Sequence, residues 1–166
     1  MDRIPFDIGD VAGIHAACCI WINGRALTQI LSDEWGDVPA QSLYRHRFLP
    51  VRSVQPVPDY WLGCAARQAD RWVLLLREPI GETGDSSWIA TQVTVGEKVI
   101  RWSSFITKVG LRSGRGEAWP HPGIGPFLFA RSHYEAALRH LARQVRALCH
   151  AGDRQGKRRK RTLEGL

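Results

Sequence analysis

Cysteines, histidines and a terminal run of cations are the residues in this chain whose types could do chemistry. The four cysteines stand at 18, 19, 64 and 149. Cys18 and Cys19 are adjacent, so on a strand they point to opposite faces and cannot both join one local cluster. A zinc site needs four ligands at short paired spacings, whereas His15, His46, His121, His133, His140 and His150 are scattered, with no C-x-x-C or H-x-x-x-H pair. The thiols are therefore expected to be reduced and buried, packing as small hydrophobes, with no metal and no cofactor. Gly110 to Gly116 reads G-L-R-S-G-R-G. It lacks the Gly-Lys-Ser/Thr ending of a phosphate-cradling loop and the G-x-G-x-x-G spacing of a dinucleotide site, so it is expected to be a plain loop. No G-x-S-x-G elbow occurs, and nothing in the spacing pairs Ser103, Ser104 or Cys64 with a histidine. No catalytic residue is assigned. Trp119 and His121, in the same glycine-rich stretch, could line a pocket, although a tryptophan folded back over the core is the commoner use of such a residue.

The cations are informative through their placement. The formal charge is +7, yet residues 1 to 130 carry 13 Lys or Arg against 13 Asp or Glu, while residues 131 to 166 carry 10 against three. All the excess sits in the last segment, on Arg139, Arg143, Arg146, Arg154, Lys157, Arg158, Arg159, Lys160 and Arg161 together with Arg131. A neutral body with a basic arm can seek an anionic partner through the arm alone.

These residues need a scaffold to hold them. The chain has 166 residues, 44% of them hydrophobic and 23% charged. A typical domain of that size buries roughly 68 to 70% of its unfolded surface around one core. No stretch reaches the ~20 apolar residues of a membrane span, and no signal-peptide pattern opens the chain, so it is expected to be soluble and cytoplasmic. Ile14 to Ile22 reads as a buried strand ending at the Asn23-Gly24 turn, followed by a short amphipathic helix over 25–33. Pro39, Pro50, Pro56 and Pro58 predict a long connection, laid over the core edge by Leu43, Tyr44, Phe48, Leu49, Val51 and Val54, with a turn near 42–44.

Further on, Tyr60–Ala65 and Trp72–Leu76 read as a hairpin around 67–70, the second strand central and covered on both faces. Trp88–Val95 and Lys98–Trp102 read as a second hairpin through Gly96-Glu97, pairing Val95 with Lys98, Val93 with Ile100 and Thr91 with Trp102. Glycines and prolines from Gly110 to Pro126 predict a loop, and Phe127–Phe129 a last strand. Ser132 and Glu135 are spaced as a capping box opening a helix. Its core face is Tyr134, Ala137, Leu138, Leu141, Val145 and Leu148, and Gly152 is expected to end it.

Some of these residues also carry a resemblance. Leu62-Gly63-Cys64 with Trp72, Trp102 with Phe105, and Pro126, Phe127, Phe129, Tyr134, Ala137 and Leu138 resemble a family of short bacterial proteins. Its core reads L-G-C-x-C-G-x-x-G-C-W, followed by W-x-x-F and P-F-x-F-x-x-x-x-Y-x-x-A-L. The Asn23-Gly24 turn is similar to the family's beginning. Ala66 and Arg71 stand where that pattern has its other two cysteines, and Arg67 and Asp70 replace its glycines. The family has no established activity, so the resemblance implies a fold and a bacterial source and withholds a function.

The expectation is an α+β domain over residues 1–150, an antiparallel sheet of about five strands with a C-terminal amphipathic helix on one face, and a basic disordered tail over 151–166. Functionally it reads as a non-enzymatic binding or accessory protein with an unidentified protein partner, contacting nucleic acid non-specifically through the arm and engaging no membrane. The alternatives are a small enzyme with its pocket under the 110–126 loop, or an immunity or antitoxin-like protein. Since Cys64 lacks the partners of the family pattern, elemental analysis should find no stoichiometric metal, and melting should be indifferent to a chelator; stoichiometric zinc or a collapse of the melting temperature would contradict this.

Overall fold

The computed structural model describes residues 1–11, 14–35, 47–50, 54, 56–64, 72–77, 86–110 and 116–163. The expected turn at 42–44, the hairpin tip at 67–70 and the glycine run at 111–115 lie outside them. In chain order the elements are β1 (Phe6–Val11), β2 (Ile14–Ile22), β3 (Arg25–Ala26), α1 (Leu27–Trp35), β4 (Arg47–Pro50) and α2 (Val57–Trp61). There follow β5 (Trp72–Arg77), β6 (Ser86–Val95), β7 (Val99–Gly110), β8 (Gly116–Pro120), β9 (Phe127–Ala130) and α3 (Arg131–Leu163). The fold is α+β, with α3 packed against the sheet.

Nine strands are present among the described residues, in the order β1-β2-β4-β5-β6-β7-β8, with β3 on β2 and β9 on β7. Neighbouring strands pair antiparallel throughout. The expected strand at 14–22 is β2, and the Asn23-Gly24 turn closes it onto β3 with Ile22 opposite Arg25. Both turn residues take positive φ, 53° at Asn23 and 79° at Gly24, as a type I′ hairpin requires. Asn23 then anchors the start of the chain. Its Nδ2 donates to the Asp2 carboxylate at 2.8 Å and its Oδ1 accepts from the Arg3 amide at 2.8 Å. Asp2 also accepts from the Leu128 amide at 2.7 Å and pairs in parallel with Phe129. Residues 2–6 thus touch both β2 and β9. The sheet curls accordingly, and the rings of Phe6 and Trp102 lie 6.5 Å apart.

Four expectations need correction. Tyr60 and Trp61 are helical, in α2, with Pro56 as its N-cap and Pro58 in its first turn, where a missing amide is no loss. Gly63 (φ 68°) then ends it, its amide bonded to the Tyr60 carbonyl. Second, the β6–β7 connection spans Gly96 to Lys98, closed by the Gly96 amide on the Val99 carbonyl, so Val95 faces Ile100 and Val93 faces Trp102. The slip is two residues, an even number, and so Val93, Ile100 and Trp102 still share the buried face. Third, the stretch expected to be loop contains β8, paired with a β7 that runs on past Trp102 to Gly110. A bulge makes that extension fit: Ser104 (φ 55°) and Phe105 oppose Thr91 alone, and Thr91 Oγ1 donates to the Ser103 carbonyl at 2.9 Å.

The fourth concerns the ends of α3. It begins at Arg131, so Ser132 lies inside the first turn and forms no capping box. The first turn is held instead by the Arg131 amide on the Lys98 carbonyl (2.9 Å) and by Arg131 Nη1 on Gly96 O (3.1 Å). At the far end Gly152 does not stop it, and the backbone stays helical to Leu163, where a disordered tail is expected from the sequence. Two interior glycines, Gly152 and Gly156, each cost about 1 kcal/mol relative to alanine, among Arg, Lys and Gln residues that favour helix.

The core gathers both faces of this arrangement. Leu49 and Val54 from the proline-rich connection are buried, as that reading requires, and β4 places Leu49 opposite Cys18. β5 is interior to the sheet, with Val73, Leu75 and Leu76 buried, while Trp72 and Leu74 on its other face are only half-buried. Trp102, Phe105, Phe127, Phe129 and Tyr134, which carry the family resemblance, all belong to or pack on this core. On α3, Tyr134, Leu138, Leu141 and Val145 are buried; Leu148, expected there, is 43% exposed. Leu141→Ala should therefore lower stability in denaturant titrations by about 2 to 5 kcal/mol, and Arg143→Ala, on the exposed side, by no more than about 0.5 kcal/mol. Equal losses would mean that the helix faces the other way.

Candidate functional site

The basic arm is a helix continuous with the core. Because β9 runs directly into α3 and the first turn is bonded to the β6–β7 hairpin, the helix has a fixed direction and rotation relative to the sheet. Arg131 Nε sits 2.7 Å from Glu135 Oε1, and Arg139 lies 3.9 Å from the other oxygen of the same carboxylate. Arg143 and Arg146 are exposed and have no partner among the described residues. Arg154, Lys157, Arg158, Arg159, Lys160 and Arg161 occupy successive turns of the same helix. The structure thus joins all nine cations expected to contact polyanions on one element, with the three upstream ones held out from the core. Such an array can neutralise phosphates.

Trp119 and His121 are placed differently from the expectation. Trp119 lies on β8 opposite Thr107 and is 47% exposed, so it does not cover the core. His121 is half-buried; its amide donates to the Phe105 carbonyl at 2.8 Å, and its Nε2 lies 2.7 Å from Thr107 Oγ1. Thr107 was not expected here. Its signal was the alternation of Phe105, Thr107 and Val109, obscured by the bulge at Ser104. With Thr107 buried to 8% exposure, the contact is a cross-strand clasp that fastens the end of β8 to β7.

Among the described residues the thiols of Cys18, Cys19 and Cys64 do not converge, and the side chain of Cys149 lies outside them. Cys18 is buried and Cys19 half-buried on opposite faces of β2, and Cys64, expected to be buried, is exposed just past α2. Burial pushes the Cys18 thiol up to about 12, helped by the neighbouring Cys19 and Asp7, and raises Cys19 less. Among the described residues no group of three or more His, Cys, Asp or Glu is placed to hold a metal ion. No helix there is long and apolar enough to cross a membrane. Alkylation near pH 8 followed by peptide mapping should label Cys64 first, Cys19 slowly, and Cys18 only after unfolding, since the thiolate is the reactive form and must be reached. Early labelling of Cys18 would contradict its place in the core.

In comparison with known proteins, no family model matches the chain, nor does any curated protein or solved structure.

Proposed function

We propose that this is a non-enzymatic binding or accessory protein of the bacterial cytoplasm, whose neutral body presents a surface to a protein partner and whose basic C-terminal segment contacts polyanions, nucleic acid foremost. The observation that carries this reading is the partition of charge. A net charge of zero over residues 1 to 130 and seven excess cations over residues 131 to 166 is an arrangement in which attraction to an anion acts through one element. Arg143 and Arg146, exposed and without carboxylate partners among the described residues, support it further, because arginines engaged in surface ion pairs would already be neutralised.

The test is binding of random-sequence DNA and RNA across a salt series. Removal of the residues after Gly152 takes away six cations and two carboxylates, lowering the formal charge from +7 to +3, and leaves the last core residue, Val145, in place. Each phosphate that the shortened arm no longer neutralises should flatten the dependence of log affinity on log salt by about 0.9 on duplex DNA. The intact protein should bind with a steep salt slope and the shortened one weakly with a shallow slope. Absence of binding by the intact protein at low salt, or an unchanged slope after shortening, would overturn the reading.

A further inference from the structure

The sheet face turned away from α3 has a composition of its own. Val73 of β5 and Thr91 and Val93 of β6 are buried, so alternation puts Trp72, Trp88 and Gln92 on the opposite face, where all three are half-buried. Register places Trp88 between Arg77 on β5 and Lys108 on β7, and Gln92 between Trp72 and Ser103. The two indoles thus stand in different rows, with the row of Ala90 between them. From Trp88 to Gln92 along β6 is about 14 Å at about 3.4 Å per residue. Lys108 spans that gap. Although it starts opposite Trp88, its Nζ lies 5.5 Å from the centroid of the Trp72 ring. Its side chain therefore crosses β6 above Ala90, which is 4% exposed. Arg77 is exposed, and so is Arg101, which stands opposite Thr94 beyond the row of Gln92. None of the three cations is in an ion pair among the described residues, and no Asp or Glu among those residues shares the face. The neutral sum of the body thus hides one face that is aromatic and cationic.

We infer that this face binds single-stranded nucleic acid, with unpaired bases stacked on Trp72 and Trp88 and phosphates met by Arg77, Arg101 and Lys108. The contact lies on the body, away from the cations of α3, and so goes beyond the polyanion reading. Aromatic rings on a sheet are stacking platforms for any base whose face is free, and neighbouring cations track the backbone of the strand. A duplex keeps its base faces inside the stack. Its major groove admits a helix or a two-stranded ribbon, whereas this face runs across β5, β6 and β7. A protein partner is the poorer fit, because the buried centre of a protein interface is depleted of charge and of lysine in particular, and Lys108 stands between the two indoles. An ammonium over an exposed ring is held more weakly than a stacked base. A base therefore displaces Lys108 from Trp72 and frees the ammonium for a phosphate beside it.

The test uses the full-length protein, a single-stranded oligothymidylate of about 20 nucleotides, longer than one such site, and a DNA duplex of equal length. Trp72→Leu and Trp88→Leu should each weaken binding of the single strand on the order of tenfold and leave its salt slope unchanged. Trp72→Phe and Trp88→Phe keep a ring and should stay within about threefold of the intact protein. Arg77→Gln and Lys108→Gln should each flatten the slope on the single strand by about 0.7. The ring variants should leave binding of the duplex, of polyglutamate and of phosphatidylserine vesicles as it was. Thermal melting checks that each variant is folded, and Lys108→Gln reads the same face should a leucine variant unfold. Equal losses on single strand and duplex, or losses as large with phenylalanine as with leucine, overturn the inference. So does a loss of polyglutamate or vesicle binding in the leucine variants, which would assign the face to an acidic protein or a lipid surface. Single-strand binding unchanged in every variant overturns it and leaves the polyanion reading standing. Ring-dependent binding whose salt slope survives removal of the residues after Gly152 upholds the inference and overturns the polyanion reading of the arm.

Discussion

One buried hydroxyl ties the three layers of this protein together. Tyr134, on the first turns of α3, donates to the Trp61 carbonyl at the end of α2 (2.9 Å) and accepts from Trp102 Nε1 on β7 (3.1 Å). All three residues are fully buried. The side chains stack around that junction: Trp61 lies nearly parallel to Trp102 at 6.3 Å, and Phe6 and Phe129 close on Tyr134 at 5.9 and 5.6 Å. Burial drives the phenol's ionisation far above its usual range, so it is a permanent hydrogen-bonding group. Removing it would orphan a buried indole N–H and a carbonyl, at about 1 to 3 kcal/mol for each group left without a partner.

The bonded tyrosine fixes how α3 leaves the core. A helix held only by apolar contacts can slide or rotate between neighbouring packings, whereas one with a two-sided hydrogen bond in its first turns has a single rotation. The Arg131 bonds to Gly96 and Lys98 add a second fixed point about one turn away. From these two points the backbone of the rest of the helix takes its direction.

β7 carries a comparable load in the sheet. It pairs with β6 along one edge and with β9 and β8 in turn along the other, and the bulge at Ser104 marks the change between them. Before the bulge Trp102 feeds the core beneath α3; after it, Thr107 fastens β8 through His121. A similar irregularity in β2 at Ala16, also at positive φ, lets its far end meet β1. Each bulge bends a strand where a regular one would diverge from its partner, and the curled sheet depends on both.

What the sequence determined by itself was set by short-range rules. The Asn23-Gly24 turn follows from backbone sterics, the core face of α3 from its 3.6-residue period, and the shared face of Val93, Ile100 and Trp102 from the two-residue period of a strand, which survives a slip of two. The partition of charge needed only counting. Tertiary structure decided the rest, wherever a local signal had a distant answer. Tyr60 and Trp61 read as strand because aromatic residues favour it, and became helix because Tyr134 and the sheet offered them a buried floor. β1, β4 and β8 are short or interrupted, with too few residues for a visible alternation, and exist because neighbouring strands supply their hydrogen bonds. Gly152 carried a stop signal worth about 1 kcal/mol, too small to oppose a helix already nucleated and anchored upstream. The chemical character of the arm was therefore legible in its residues, but its shape was not, because the phase of a helix depends on where it starts and on what holds that start in place.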